Sequence, residues 1–236
     1  MSPIIEMHQI RKSYSVGTPV VTEVLHGIDL NIQEGDFAAL TGPSGSGKST
    51  LLNLIGLLEK PTSGRLLVGG QDTAGLGDAA ITALRGRSIG FIFQFHHLLP
   101  GFTALENVMM PAIIDTGWPT VQAQASALRL LDQVGLKDAA HKRPSQLSGG
   151  MQQRVAVARA LALSPRLILA DEPTGNLDTH SANDIFELLQ SVNQTQRSAC
   201  LIVTHDPALA SRCVRQIQMV DGQLLLPGSA PAFKEG

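Results

Sequence analysis

Apolar residues in this chain follow two rhythms. Short continuous runs break off abruptly into polar residues: Phe37-Ala38-Ala39-Leu40, Ile89-Gly90-Phe91-Ile92-Phe93, Leu167-Ile168-Leu169-Ala170 and Leu201-Ile202-Val203. Each reads as a strand buried on both faces, as in a parallel sheet covered by helices. Elsewhere the spacing is helical, as in Ala127, Leu128, Leu130, Leu131 and Val134 within the stretch from Ala123 to Val134. Alternation of the two rhythms predicts an α/β fold with a largely parallel sheet. Residues 1–35 alternate only weakly, as in Ile28-Asp29-Leu30-Asn31-Ile32, and carry Gly17, Pro19 and Gly35. An antiparallel layer at the sheet edge is expected there. Residues 95–163 read mostly as helix, a helical subdomain inserted into the core segments 1–94 and 164–226. The tail 227–236, beginning Pro227-Gly228-Ser229-Ala230-Pro231-Ala232, is poor in core formers and is expected to be mobile.

Ligands of open α/β sheets sit at the carboxyl ends of the strands. The four polar endings are therefore expected to converge: the loop after Leu40, then Gln94, Asp171-Glu172 and Thr204-His205. The first of them, Gly42-Pro43-Ser44-Gly45-Ser46-Gly47-Lys48-Ser49-Thr50, fits the phosphate-loop pattern G-x-x-x-x-G-K-[ST] in full. Its glycines let backbone N–H groups turn inward around an anion, in conformations that strain other residues. The helix that follows aims its N-terminal N–H groups and partial positive charge at the same anion. Lys48 adds a full charge for the β- and γ-phosphates, and Ser49 a hydroxyl for Mg²⁺. A second glycine-flanked helix start lies at Leu147-Ser148-Gly149-Gly150-Met151-Gln152-Gln153-Arg154, with Ser148 placed to cap or to donate to an anion. One nucleotide at Lys48 does not need a second such site on the same chain. The surplus makes sense if it serves a nucleotide held by another copy.

Bulk properties narrow the reading without carrying it. The 236 residues favour one domain, and a chain of this size buries roughly 70–75% of its unfolded surface. With 18 basic and 20 acidic residues the formal net charge is −2, and no basic block marks a nucleic-acid footprint. The two cysteines, Cys200 and Cys213, lack metal-ligand spacing, and Cys200 sits in an apolar run as a buried thiol, a usage that fits a reducing cytosol. No signal peptide is apparent, and the longest apolar run, Leu51 to Leu58, is too short to span a bilayer. The chain is expected to be soluble, with any membrane role supplied by a partner.

The phosphate loop, Gln94, the 147–154 segment, Asp171-Glu172, Gly175-Asn176-Leu177-Asp178 and His205 stand in an order and spacing that resemble the nucleotide-binding subunits of ATP-binding-cassette (ABC) transporters. The resemblance covers nearly the whole chain. It implies a RecA-like phosphate-loop NTPase core, ATP and Mg²⁺ as cofactors, and ATP hydrolysis. Lys48 and residues 42–50 would hold the phosphates; Ser49 and Gln94 would contact the metal, and Asp171 would orient it. Glu172 would polarise the attacking water, and His205 would contact the γ-phosphate. Tyr14, the single tyrosine, would stack on adenine. Asp178 would sit at a dimer seam, where Ser148, Gly149 and Gly150 reach the γ-phosphate on the opposite copy. Met151 departs from the glutamine common at that place.

The segment Phe95-His96-His97-Leu98-Leu99-Pro100 carries more apolar surface than a polar loop needs. It resembles that of lipoprotein-releasing ATPases in the macrolide-exporter-like branch. The resemblance implies a second copy of the chain and integral membrane permease subunits as partners. It also implies a peripheral position on the cytoplasmic face of the bacterial inner membrane, without direct membrane insertion. Related members that expel peptides, antibiotics or haem, or control cell-wall hydrolases, are the alternative. Soluble cassettes of DNA repair or translation fit less well. Only about a hundred residues separate Lys48 from Ser148, with no sustained heptads, and there is one cassette rather than two.

Overall fold

The computed structural model describes residues 3–15 and 21–225. Gly17, Pro19 and the tail expected to be mobile lie outside the described residues.

Six strands form the central sheet, in the order β10-β9-β3-β8-β7-β6. They are β3 (Phe37–Thr41), β6 (Ile89–Phe93), β7 (Leu167–Asp171), β8 (Ala199–Val203), β9 (Arg215–Val220) and β10 (Gln223–Leu225). All neighbours are parallel except the β9–β10 pair. The side-chain period of two splits β3, β7 and β8 between two cores. Ala38, Leu40, Leu167, Leu169, Leu201 and Val203 face one cluster. Phe37, Ala39, Ile168, Ala170, Cys200 and Ile202 face the other. Both faces are buried, which is why the strands read as continuous apolar runs.

The first face is covered by α1 (Lys48–Ile55) and by a separate antiparallel sheet of order β2-β1-β4-β5. It comprises β1 (Pro3–Ser15), β2 (Val21–Gln33), β4 (Ser63–Val68) and β5 (Gln71–Asp72). The expected edge layer thus recruits two strands from beyond α1. It meets the central sheet where His26 N–H donates to the Gly222 carbonyl, at 3.0 Å. α2 (Asp78–Ser88) follows and adds Ile81 to the same cluster.

The other face packs on α6 (Thr179–Gln196), α7 (Pro207–Ser211) and part of α5 (Gly149–Ala160). α3 (Ala104–Thr116) and α4 (Val121–Gln133) build a third cluster with α5, around Leu105, Val108, Leu131, Val155 and Ala158. α5 therefore faces two cores at once: Val157 and Leu161, just past its end, point to the sheet, and Val155 and Ala158 to α3 and α4. Fully buried Asn107 organises the loop before α3. Its Oδ1 accepts from Leu99 N–H at 2.8 Å, and its Nδ2 donates to the carbonyls of Leu99, Phe102 and Thr103.

Candidate functional site

The parallel register aligns the strand ends. Leu40 pairs with Val203, Val203 with Asp171, and Asp171 with Phe93. The residues that follow, Thr41, Thr204, Glu172 and Gln94, therefore form one row at the carboxyl edge of the sheet. The four sequence-predicted endings come together by topology alone.

At the first ending the chain turns through Gly42 and Gly47, with φ 151° and 102°. A Cβ on Gly42 would lie 2.0 Å from the Met219 carbonyl oxygen, so backbone packing requires glycine there. α1 begins without a side-chain cap and without an acidic residue in its first turn. The other described α-helices have one or the other. Buried Lys48 curls back, its Nζ donating to the carbonyls of Gly42 (2.9 Å) and Pro43 (2.8 Å). Burial pushes its pKa down, partly offset by the carboxylates of Glu172 and Asp171. Ser46 Oγ is buried and has no hydrogen-bond partner. Pro43, Ser44, Gly45 and Ser49 are exposed around this turn, and Thr50 is half-buried. Uncapped N–H groups, a desolvated ammonium and an orphaned hydroxyl are the unmet demands that a polyphosphate satisfies.

Asp171 ends β7 with its pKa raised, first by burial and then by neighbouring Glu172; Lys48 and His205 pull against that rise. Glu172 leaves the strand with φ 46°, and its N–H donates to Val203 O at 3.0 Å. The two carboxylates are thus set apart by a left-handed turn rather than by the alternation of a strand. Glu172 Oε1 lies 2.6 Å from His205 Nε2. Clefts of about 440 and 330 Å³ flank that pair, one reaching Gly175 and Leu177, the other Thr41 and Gly42. Gln94 Nε2 donates to Asn176 Oδ1 at 3.3 Å, which leaves its amide oxygen for another donor or a metal.

Tyr14 stands at the end of β1 against α1. Its hydroxyl donates to Glu59 Oε2 at 2.6 Å, and Lys12 Nζ lies 4.9 Å from the ring centroid. Burial, and then Glu59, raise the Tyr14 pKa. Nothing in the sequence singled out Glu59, which also accepts from Asn53 Nδ2 at 3.0 Å and pairs with Lys12.

The second helix start is built differently. Ser148 Oγ accepts from Met151 N–H at 3.3 Å and caps α5. Gly149 and Gly150 lie against the 175–178 segment and the start of α6: a Cβ on Gly150 would be 3.1 Å from Ser181 Oγ, and one on Gly149 3.8 Å from Leu177. Asp178 caps α6, accepting from Ser181 N–H (3.0 Å) and Ser181 Oγ (2.7 Å), and these bonds lower its pKa. Among the described residues no hydrogen bond joins 148–150 to 42–50.

A family model described as "ABC transporter" matches residues 25–175. The lipoprotein-releasing system ATP-binding protein LolD 1 of Rhodopseudomonas palustris is 58% identical over 224 residues, covering 95% of this chain and 99% of that one. LolD of Anaeromyxobacter dehalogenans is 58% identical over 227 residues, covering 96% and 95%. A solved ATP-binding cassette, dimeric in a post-hydrolysis state with ADP and Pi bound, superposes with a TM-score of 0.85 at 40% identity, covering 94% of this chain and 97% of that one. With the strand-end geometry and the matches agreeing along the chain, it belongs to the ABC transporter family.

Proposed function

We propose that this chain is the ATP-hydrolysing subunit of a lipoprotein-releasing transporter. It works as a pair of copies beside integral membrane permease subunits, on the cytoplasmic face of the bacterial inner membrane. The observation that carries the enzymatic part is the Glu172–His205 pair at 2.6 Å, set beside an uncapped helix start and a buried Lys48. The finer reading is supported by the 58% identity to two LolD proteins over almost their full length. No helix among the described residues is long and apolar enough to cross a membrane. The membrane passage is therefore assigned to partners, which meet the exposed Phe95, Leu99 and Phe102. Residues 95–163 act as the helical subdomain that carries this surface, and 1–94 with 164–226 as the catalytic core.

Lys48, the N–H groups of 42–50 and the Ser46 hydroxyl bind the triphosphate. Tyr14, anchored by Glu59, offers its ring to adenine. Ser49, Gln94 and Asp171 supply hard oxygen donors that suit Mg²⁺. Held there, Mg²⁺ would supply positive charge to offset that of the phosphate groups. Glu172 pairs with His205 through Oε1 and keeps Oε2 to accept a proton from the attacking water. His205, 52% exposed at the cleft, meets the γ-phosphate and stabilises charge that develops there. Ser148 keeps its O–H donor free while its oxygen caps α5, and with Gly149 and Gly150 it faces the triphosphate of the second copy. Asp178 fixes the start of α6 at that seam. ATP thus bridges two copies, and hydrolysis removes the bridge.

Glu172→Gln tests the chemistry. ATP binding is retained and turnover falls by roughly 10²–10⁴-fold, the scale for losing an acid–base group; near-normal hydrolysis refutes the assignment. Pull-down of the tagged chain from membranes tests the transport part. Recovery of a four-span subunit with a large periplasmic domain supports it, and a peptide-importer permease overturns it while leaving the ATPase intact.

A further inference from the structure

The segment after Gln94 faces two ways. Phe95, Leu99 and Phe102 are exposed, whereas Leu98 packs into the helical core. His96 also turns inward, placing Nε2 2.9 Å from the carbonyl oxygen of Gly149 in the first turn of α5. A carbonyl only accepts, so Nε2 carries the proton. The same helix grips the loop backbone from its far end. The Arg159 guanidinium donates to the carbonyls of His96 (2.8 Å) and His97 (2.6 Å), and buried Gln153 Nε2 donates to Phe93 O at 3.4 Å. Among the described residues, His96 makes the one hydrogen bond between this loop and the start of α5.

The consequence follows from peptide geometry. The Gly149 C=O and the Gly150 N–H belong to one planar trans unit and point in opposite directions. The first turn of α5 holds that plane only through its carbonyl side, and glycines on both sides restrict it less than residues with a Cβ would, so a further bond to the carbonyl adds to its fixation. Fixing the carbonyl fixes the aim of the N–H. Ser148 takes the Met151 N–H for the cap, so the Gly149 and Gly150 N–H groups remain for a ligand. We propose that His96 is a positioning residue for the glycine turn that starts α5: by holding the Gly149 carbonyl, it aims the Gly150 N–H at the triphosphate on the second copy. This rests on the two-copy reading above. It also places a loop that borders the exposed partner surface in direct bonded contact with the turn that closes the dimer.

The test uses the full chain carrying Glu172→Gln, with ATP and Mg²⁺, and follows dimer formation by sedimentation. His96→Ala and His96→Phe are expected to raise the ATP concentration for half-dimerisation about tenfold, since one hydrogen bond is lost at each of two sites. ADP binding to the monomer stays within about twofold, because neither variant touches the Lys48 site, whose N–H donors act independently. His96→Gln, which can place an amide N–H at the same position, restores the parent value. Dimerisation of His96→Ala at the parent concentration overturns the proposal while the two-copy reading stands. A parent-like His96→Phe overturns it by showing that packing suffices, and failure of Gln to rescue overturns it too. If Glu172→Gln alone never dimerises, the two-copy reading fails and takes this proposal with it.

Discussion

The two glycine-flanked helix starts, α1 and α5, solve the same problem in opposite ways. Each has N–H groups without an intrahelical acceptor. At α5 the chain supplies its own acceptor, Ser148 Oγ. At α1 it supplies none, and it adds a desolvated ammonium and an orphaned hydroxyl. A helix start left uncapped beside buried positive charge depends on an outside anion for completion. A capped start is stable by itself and can meet an anion as a second, conditional partner. On the proposed function, the difference separates a site that holds nucleotide in the monomer from one that acts only when another copy brings the nucleotide to it.

The largest effect should come from Lys48→Ala. Losing charge-assisted bonds to phosphate lowers monomer affinity for ATP by roughly 10–100-fold, the equivalent of about 1.5–3 kcal/mol. Unchanged affinity in a calorimetric titration would break the comparison at the α1 end. Ser148→Asp sharpens it at the other end. Aspartate caps a helix about as well as serine, so thermal stability holds, but its charge opposes a triphosphate. Dimerisation of the Glu172→Gln chain should then fail while monomer binding persists; a stable dimer would mean that Ser148 never meets phosphate. The smallest effect belongs to Ser148→Ala, which removes the cap at a cost of about 1 kcal/mol. In a chain of this length, a melting temperature lowered by about 2–4 °C is expected. No shift in a thermal melt would show that the 3.3 Å contact contributes little.

Legibility along the chain followed the range of the interactions. β3, β6, β7 and β8 were readable because a strand buried on both faces must be apolar throughout. β9 carries the signal Gln216-Ile217-Gln218-Met219, alternating as a strand with one wet face, but the alternation is too short to mark it. Neither the recruitment of Ser63–Val68 to β1 nor the burial of Asn107 under its own loop leaves a periodic trace. Both depend on what packs nearby.

The order of residues by itself determined the phosphate loop, the two carboxylates after β7, the histidine after β8 and the glycines of the second helix start. These are local: a turn that needs glycine, or a strand that must stop, is written in neighbouring positions. Only the tertiary structure decided that Glu172 is turned aside by a left-handed backbone and paired with His205, and that Tyr14 is anchored by Glu59. It also decided that His96 points into the molecule rather than out of it. Side-chain direction and polar partnership across 33 to 53 residues depend on how separate elements pack, and composition and periodicity carry no record of that packing.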